Sequence, residues 1–252
     1  MSLEERLKFA AMKARHPNVS RAWYKKWWGV LILIVLGLIL IILVISGLYV
    51  SNKIKQIQSG QDETSLEQQR QNYLNAINGD GSNYYLGAAQ APVTIIEFGD
   101  FACHFCEQSV AGAKKLAAAY PDKVKIVWRD YPTIGPNSII LALAARCAGE
   151  QGKFWDFHDI LFANQEGLSA ATSSDEFGGR LDLLAQNLKL NITQFDDCLA
   201  NSKYLDQVSR DHQDGETLGI KGTPTWFINN YSPISGSISE DKFMELAAGL
   251  LK

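Results

Sequence analysis

The chain has 252 residues, 46% of them hydrophobic, with 24 Lys/Arg against 27 Asp/Glu. That length suits one well-buried domain of roughly 150–200 residues plus an appendage, and the 20 glycines and 7 prolines exclude collagen-like, mucin-like and wholly disordered chains. The net charge of −3 is uneven: residues 1–28 carry +5 and the remainder −8, so the body lacks the basic face that a nucleic-acid partner requires.

In chain order, residues 1–26 form a basic tail. Trp27 to Val50 then holds no charged residue, and Leu31 to Ile45 is Leu, Ile and Val broken only by Gly37. These 24 residues, at about 1.5 Å each, span a hydrocarbon core of about 30 Å. Trp27, Trp28 and Tyr49 sit at the ends, where aromatic rings prefer the headgroup level. A cleaved signal peptide has a shorter apolar region and a small-residue cleavage site; Ser46-Gly47-Leu48-Tyr49 is a poor one. Residues 27–50 therefore read as an uncleaved, single-pass signal anchor. The Lys/Arg excess before it predicts a cytoplasmic N-terminus and an extracytoplasmic remainder, in the periplasm or at the cell exterior.

Residues 51–84 are polar and read as a stalk, with a modestly amphipathic helix over Lys53 to Asn75 and turn chemistry from Asn78 to Asn83. The folded domain is expected over 85–252. Pro92 to Phe98 is a β-branched run suited to a buried strand, a helix follows through Gln108 to Tyr120, and Lys123 to Trp128 alternates as a second strand. Helical patterns cover Ser138–Gln151, Phe154–Asn164, Arg180–Lys189, Ile192–Leu199 and Tyr204–Leu218. Short strands at Thr225–Ile228 and Gly236–Ser239 and a helix from Glu240 to Leu251 close the chain. The order predicts an α/β fold: a sheet with helices on both faces and a helical insertion over about 137–218.

The four cysteines are Cys103, Cys106, Cys147 and Cys198. Cys103-His104-Phe105-Cys106 follows a strand and opens a helix. A sulfur placed among the unpaired N–H groups of a helix N-terminus is favoured as thiolate, the nucleophile of disulfide exchange. Cys103 should therefore attack and Cys106, one turn inward, should resolve. His104 either adds positive charge beside Cys103 or is a solvent-exposed spacer. A zinc half-site is the rival reading of the pair, but no second closely spaced pair accompanies it, so no metal is expected. An oxidising compartment favours a structural bridge between Cys147 and Cys198, whose loop of about 51 residues would stabilise by about 4 kcal/mol. Downstream, Pro224 stands at the start of a strand. A cis Thr223–Pro224 bond would bring its loop alongside the cysteines; a trans edge-strand proline is the alternative.

Phe98–Cys106 (FGDFACHFC) and Gly222–Ile228 (GTPTWFI) together resemble the DsbA-like family of thioredoxin-fold thiol–disulfide oxidoreductases. Ala91–Glu97 (APVTIIE), Gln151–Trp155 (QGKFW) and His158 add to the likeness, which covers roughly residues 84–252. The resemblance implies a thioredoxin-like fold, Cys103 as nucleophile, Cys106 as its partner and Pro224 as a cis-proline. It also implies that Glu97 is a buried acid serving proton transfer, against the plainer reading of a surface strand residue. Thr223, Pro224 and Phe105 are the expected substrate contacts. The chain departs from the best-known strong oxidases at the dipeptide between the cysteines, His-Phe here and Pro-His there. That dipeptide helps set a potential that spans about −270 to −120 mV in this fold.

The expected function is introduction of disulfides into exported proteins bearing free thiols. The redox-active Cys103–Cys106 disulfide would need no other cofactor, the protein would act as a monomer, and by resemblance a membrane quinone-linked reoxidase would renew it. Isomerase or reductase activity of the same fold, and a non-enzymatic anchored module binding peptides or zinc, are the alternatives.

Overall fold

A computed structural model describes residues 2–8, 27–58, 61–229 and 232–251. The chain divides into a unit ending at Glu67 and a unit beginning at Gln68. In the first, a short helix α1 over residues 3–8 is capped at Ser2, whose Oγ accepts from Glu5 N while Ser2 N donates to Glu5 Oε2 at 2.8 Å. Residues 9–26, most of the basic tail, lie outside the described residues. Helix α2 (Trp27–Gln58) carries the apolar segment, and its side chains from Val30 to Val50 are exposed along its length. It is long and apolar enough to cross a membrane. The helix predicted over Lys53 to Asn75 falls within α2, which continues through Gln58, and α3 (Gln61–Asn78); Ser59 and Gly60 lie outside the described residues.

The second unit starts upstream of the expected boundary at Tyr85. The last turn of α3 buries Ala76 and Ile77, and Ile77 packs with Ile96, Phe98, Val127 and Phe227. Gly79 ends α3 at φ +63°, and a Cβ there would lie 2.8 Å from Arg129 Nη1, so only glycine suits both the left-handed turn and the close approach.

Five strands follow the order β1-β3-β2-β4-β5, with β1 Tyr85–Gly87, β2 Val93–Gly99, β3 Val124–Asp130, β4 Thr225–Ile228 and β5 Ile234–Ser235. Among the described residues only β2 and β3 pair in parallel, and the other three pairings are antiparallel. Alternation along β2 sends Val93 and Ile95 to one face and Ile96 and Phe98 to the other. On the first face lie α4 (His104–Ala119) and α11 (Glu240–Leu250), whose Leu116, Ala113, Phe243 and Ala247 fill the core. Helices α5 (Ser138–Glu150), α6 (Phe154–Ala163), α7 (Gln165–Ser169), α8 (Ser174–Asn187), α9 (Ile192–Ala200) and α10 (Leu205–Thr217) form the insertion between β3 and β4. The chain therefore has a thioredoxin-like fold with a helical insertion.

Three local departures have physical reasons. Strand β1 is too short for periodicity to reveal and exists only by pairing Tyr85–Gly87 with β3. Strand β5 precedes Gly236 because that residue, at φ +93°, turns away after its N–H bonds Pro224 O at 2.8 Å. Helix α8 begins at Ser174, where Ser173 Oγ accepts from Glu176 N, although Gly178-Gly179 weakens its intrinsic propensity.

Two interactions lock the insertion in place. Cys147 of α5 and Cys198 of α9 are bridged, their Cα atoms 5.8 Å apart. Arg129 and Arg146, both fully buried, share Asp211: Arg129 Nε donates to Oδ1 at 2.7 Å and Arg146 Nη2 to Oδ2 at 2.6 Å. Arg129 Nη1 also donates to the carbonyls of Ala76 and Ile77, tying the end of α3 to β3 and α10. Breaking such a pair by removing one partner would cost about 3–5 kcal/mol, because the other charge would stay buried alone.

Candidate active site

Strand β2 ends at Gly99, and Asp100-Phe101-Ala102 turns the chain into α4. Cys103 is the N-cap of that helix, at φ −88° and ψ 118°, and Cys106 lies in its first turn. The helix thus opens at the cysteine motif, as the sequence predicts. Both sulfurs are free thiols; Cys103 is 3% exposed and Cys106 fully buried. The Thr223–Pro224 peptide is cis, and the Cys103 thiol donates to Thr223 O at 3.2 Å. The loop before β4 is therefore packed against the N-terminus of α4, as the cis alternative requires.

The two thiols are driven apart electrostatically. The Cys103 pKa falls to about 6, first because the Cys106 thiol donates to its sulfur, and further through Thr223 and the N–H groups of Cys106 and Phe105; burial opposes them. Thr223 Oγ1 is buried and, among the described residues, has no hydrogen-bond partner beside the neutral thiol, so it is placed to donate to a thiolate. Burial pushes the Cys106 thiol far up, aided by its hydrogen bond to Cys103 and by the charge of Glu97. One sulfur is poised as nucleophile and the other as a proton-bearing partner.

Glu97 is buried, not a surface strand residue. It is paired in register with Trp128 on one side and Trp226 on the other, and among the described residues its Oε1 has no hydrogen-bond partner. Burial, and secondarily the charge of Cys103, lifts its pKa well above the carboxylate range. An unpaired buried acid that feels both sulfurs is suited to carry a proton.

His104 lies at the surface. Its side chain is 69% exposed, its Nδ1 lies 3.3 Å from Glu107 Oε2 and its Nε2 3.0 Å from Gln108 Nε2. As the first residue of α4 it turns outward to its i+3 and i+4 neighbours. Among the expected substrate contacts only Phe105 projects outward, at 57% exposure; Thr223 and Pro224 are buried, so that loop offers its exposed Lys221-Gly222 edge.

Sequence reasoning missed the groups that hold the turn. Asp100 is buried, and its carboxylate accepts three backbone N–H groups. Gln165 Nε2 donates to Phe101 O at 2.8 Å. His158 is buried among Phe101, Trp128, Trp155 and Phe162, with burial lowering its pKa. Asp100 and His158 stand inside the recognisable motifs, but Gln165 carries no sequence signal.

A thiolate-prone cysteine at a helix N-terminus, a protonated partner one turn on, a buried acid behind and a cis-proline loop in front define a thioredoxin-type dithiol centre. The family model described as thioredoxin matches residues 80–246, and the chain belongs to the thioredoxin family. A probable disulfide bond formation protein D from Bacillus cereus is 30% identical over 150 residues, covering 57% of this chain and 68% of that protein. The crystal structure of oxidised BdbD from Bacillus subtilis aligns with a TM-score of 0.59 and 25% identity, over 69% of this chain and 95% of that one. The Na(+)/H(+) antiporter NhaA 1 of Salinispora arenicola is 34% identical over 147 residues, which cover 57% of this chain. The match spans only 21% of the antiporter's length.

Proposed function

We propose that the protein is a membrane-anchored, extracytoplasmic thiol–disulfide oxidoreductase that introduces disulfides into exported proteins. The observation that carries this reading is the asymmetry of the pair: Cys103 at about 6 beside Cys106, whose pKa burial and Glu97 push far up. In the oxidised enzyme a substrate thiolate attacks Cys103 Sγ; the Cys103–Cys106 bond breaks as the mixed disulfide forms. The electron pair leaves on Cys106, which takes up a proton, with Glu97 as the nearby proton carrier. A second substrate thiolate then attacks the substrate sulfur of the mixed disulfide, and Cys103 departs as the stabilised thiolate. Two substrate thiols become one disulfide and the enzyme holds both electrons, which a quinone-linked membrane oxidase would remove.

A stabilised Cys103 thiolate favours the reduced enzyme and hence an oxidising potential. The experiment is equilibration of the full chain with glutathione redox buffers, together with trapping by Cys106→Ala. Oxidase function predicts a potential near the oxidising end of the range, about −120 mV, and mixed disulfides through Cys103. A potential near about −270 mV would instead support the reductase reading.

A further inference from the structure

We propose that Asp100 is a positioning residue for the dithiol site: its buried carboxylate ties the turn that presents Cys103 to the loop after β3, and thereby sets how firmly the Cys103 thiolate is held. The inference rests on the reading of Cys103 and Cys106 as the exchanging pair.

Asp100 is 2% exposed and each of its oxygens is engaged. Oδ1 accepts from Ala102 N at 2.8 Å. Oδ2 accepts from Thr133 N at 2.7 Å and Ile134 N at 2.8 Å. Its main-chain carbonyl accepts from Cys103 N at 2.9 Å. One residue therefore holds Cys103 through its backbone and a separate loop, 33 positions away, through its side chain. The adjacent bond from Tyr131 N to Gly99 O, 2.8 Å, keeps the two segments in step.

Hydrogen bonds to an ionised acceptor are the stronger kind, and three convergent donors need both carboxylate oxygens. No neutral isostere supplies that. In Asp100→Asn one oxygen becomes an NH2 group, which faces an N–H donor, so either the Ala102 bond or the Thr133 and Ile134 bonds are lost. In Asp100→Ser the hydroxyl reaches only the local Ala102 N–H. Either change frees the turn whose N–H groups at Phe105 and Cys106 must point at the Cys103 sulfur. A loosened turn stabilises the thiolate less, so the Cys103 pKa should rise and the reduced form become less favourable.

The test uses the full chain in detergent. Iodoacetamide alkylation of the reduced protein against pH reads Cys103, and equilibration with glutathione reads the redox balance. Both substitutions should raise the alkylation midpoint by about half a pH unit or more and shift the glutathione equilibrium about threefold toward the disulfide form. A merely structural role would lower the melting temperature and leave both readings unchanged, which overturns the proposal. A lowered midpoint, the result of losing a negative charge alone, overturns it too. Should neither variant fold, amide hydrogen exchange of the wild-type chain decides. By reciprocity, protection at Ala102, Thr133 and Ile134 must differ between the disulfide and dithiol forms, and equal protection defeats the proposal. A wild-type chain that fails to exchange with glutathione at all would instead defeat the reading of the pair on which the proposal depends.

Discussion

The thiol of Cys103 meets the carbonyl oxygen of Thr223 at 3.2 Å although 120 positions of sequence separate them. That contact joins the N-terminus of α4 to the loop before β4. It places the nucleophile beside a backbone carbonyl that already has a partner and a hydroxyl that, among the described residues, has none.

The first prediction concerns titration. In the reduced protein, alkylation of Cys103 should have a midpoint near 6, while Cys106 should not react across the accessible pH range. The folded pKa lies below the ordinary thiol value of 9.0, so the contribution to stability is fully present above that value and is lost as pH falls through about 6. The reduced form should accordingly lose stability relative to the oxidised form between pH 9 and 6, measured by urea unfolding. A Cys103 midpoint at or above about 8.5 would remove the chemical basis for its role as nucleophile.

Glu97 carries the opposite sign. Its folded pKa is raised by burial, so its contribution is present below the ordinary carboxylate value and is lost as pH rises through the folded value. Glu97→Gln does not ionise and should be more stable than the wild type at alkaline pH, with no such gain at acid pH. The same variant should slow disulfide exchange roughly tenfold or more if the acid carries the Cys106 proton, read by stopped-flow tryptophan fluorescence. Unchanged rates across pH would leave Glu97 with a packing role only.

The Cys147–Cys198 bridge closes a span of 51 residues between α5 and α9. Cys147→Ala with Cys198→Ala should cost about 4 kcal/mol in the chain-entropy account, lowering Tm by roughly 8–16 °C for a domain of this size. Exchange through Cys103 should persist at a temperature where the variant stays folded. Loss of exchange with the fold intact would assign the bridge a chemical role.

Topology is tested from outside. The +5 charge before the uncharged segment predicts that protease added to spheroplasts digests the domain beyond about residue 50. Full protection of the domain in that experiment would reverse the orientation and remove the oxidising-compartment argument for the second bridge.

Local chemistry sufficed for part of this protein. An uncharged run as long as Trp27 to Val50 gives a membrane-length helix, since the Leu, Ile and Val from Leu31 to Ile45 favour hydrocarbon and the aromatic residues at its ends favour the interface. The β-branched runs at Val93 and Val124 make strands, and the cysteine motif after the first of them opens a helix. Tertiary structure decided the rest, because burial and hydrogen-bond partners are properties of distant neighbours. Glu97 is an unpaired buried acid only because Trp128 and Trp226 flank it from two other strands. His104 turns away from Cys103 because Glu107 and Gln108 capture its ring one turn along α4. Ile77 belongs to the domain and not to a stalk because Arg129, itself held by Asp211, binds the carbonyls at the end of α3. Asp100 reads in sequence as an ordinary turn residue; its carboxylate acquires a task only when folding brings Thr133 and Ile134 within reach.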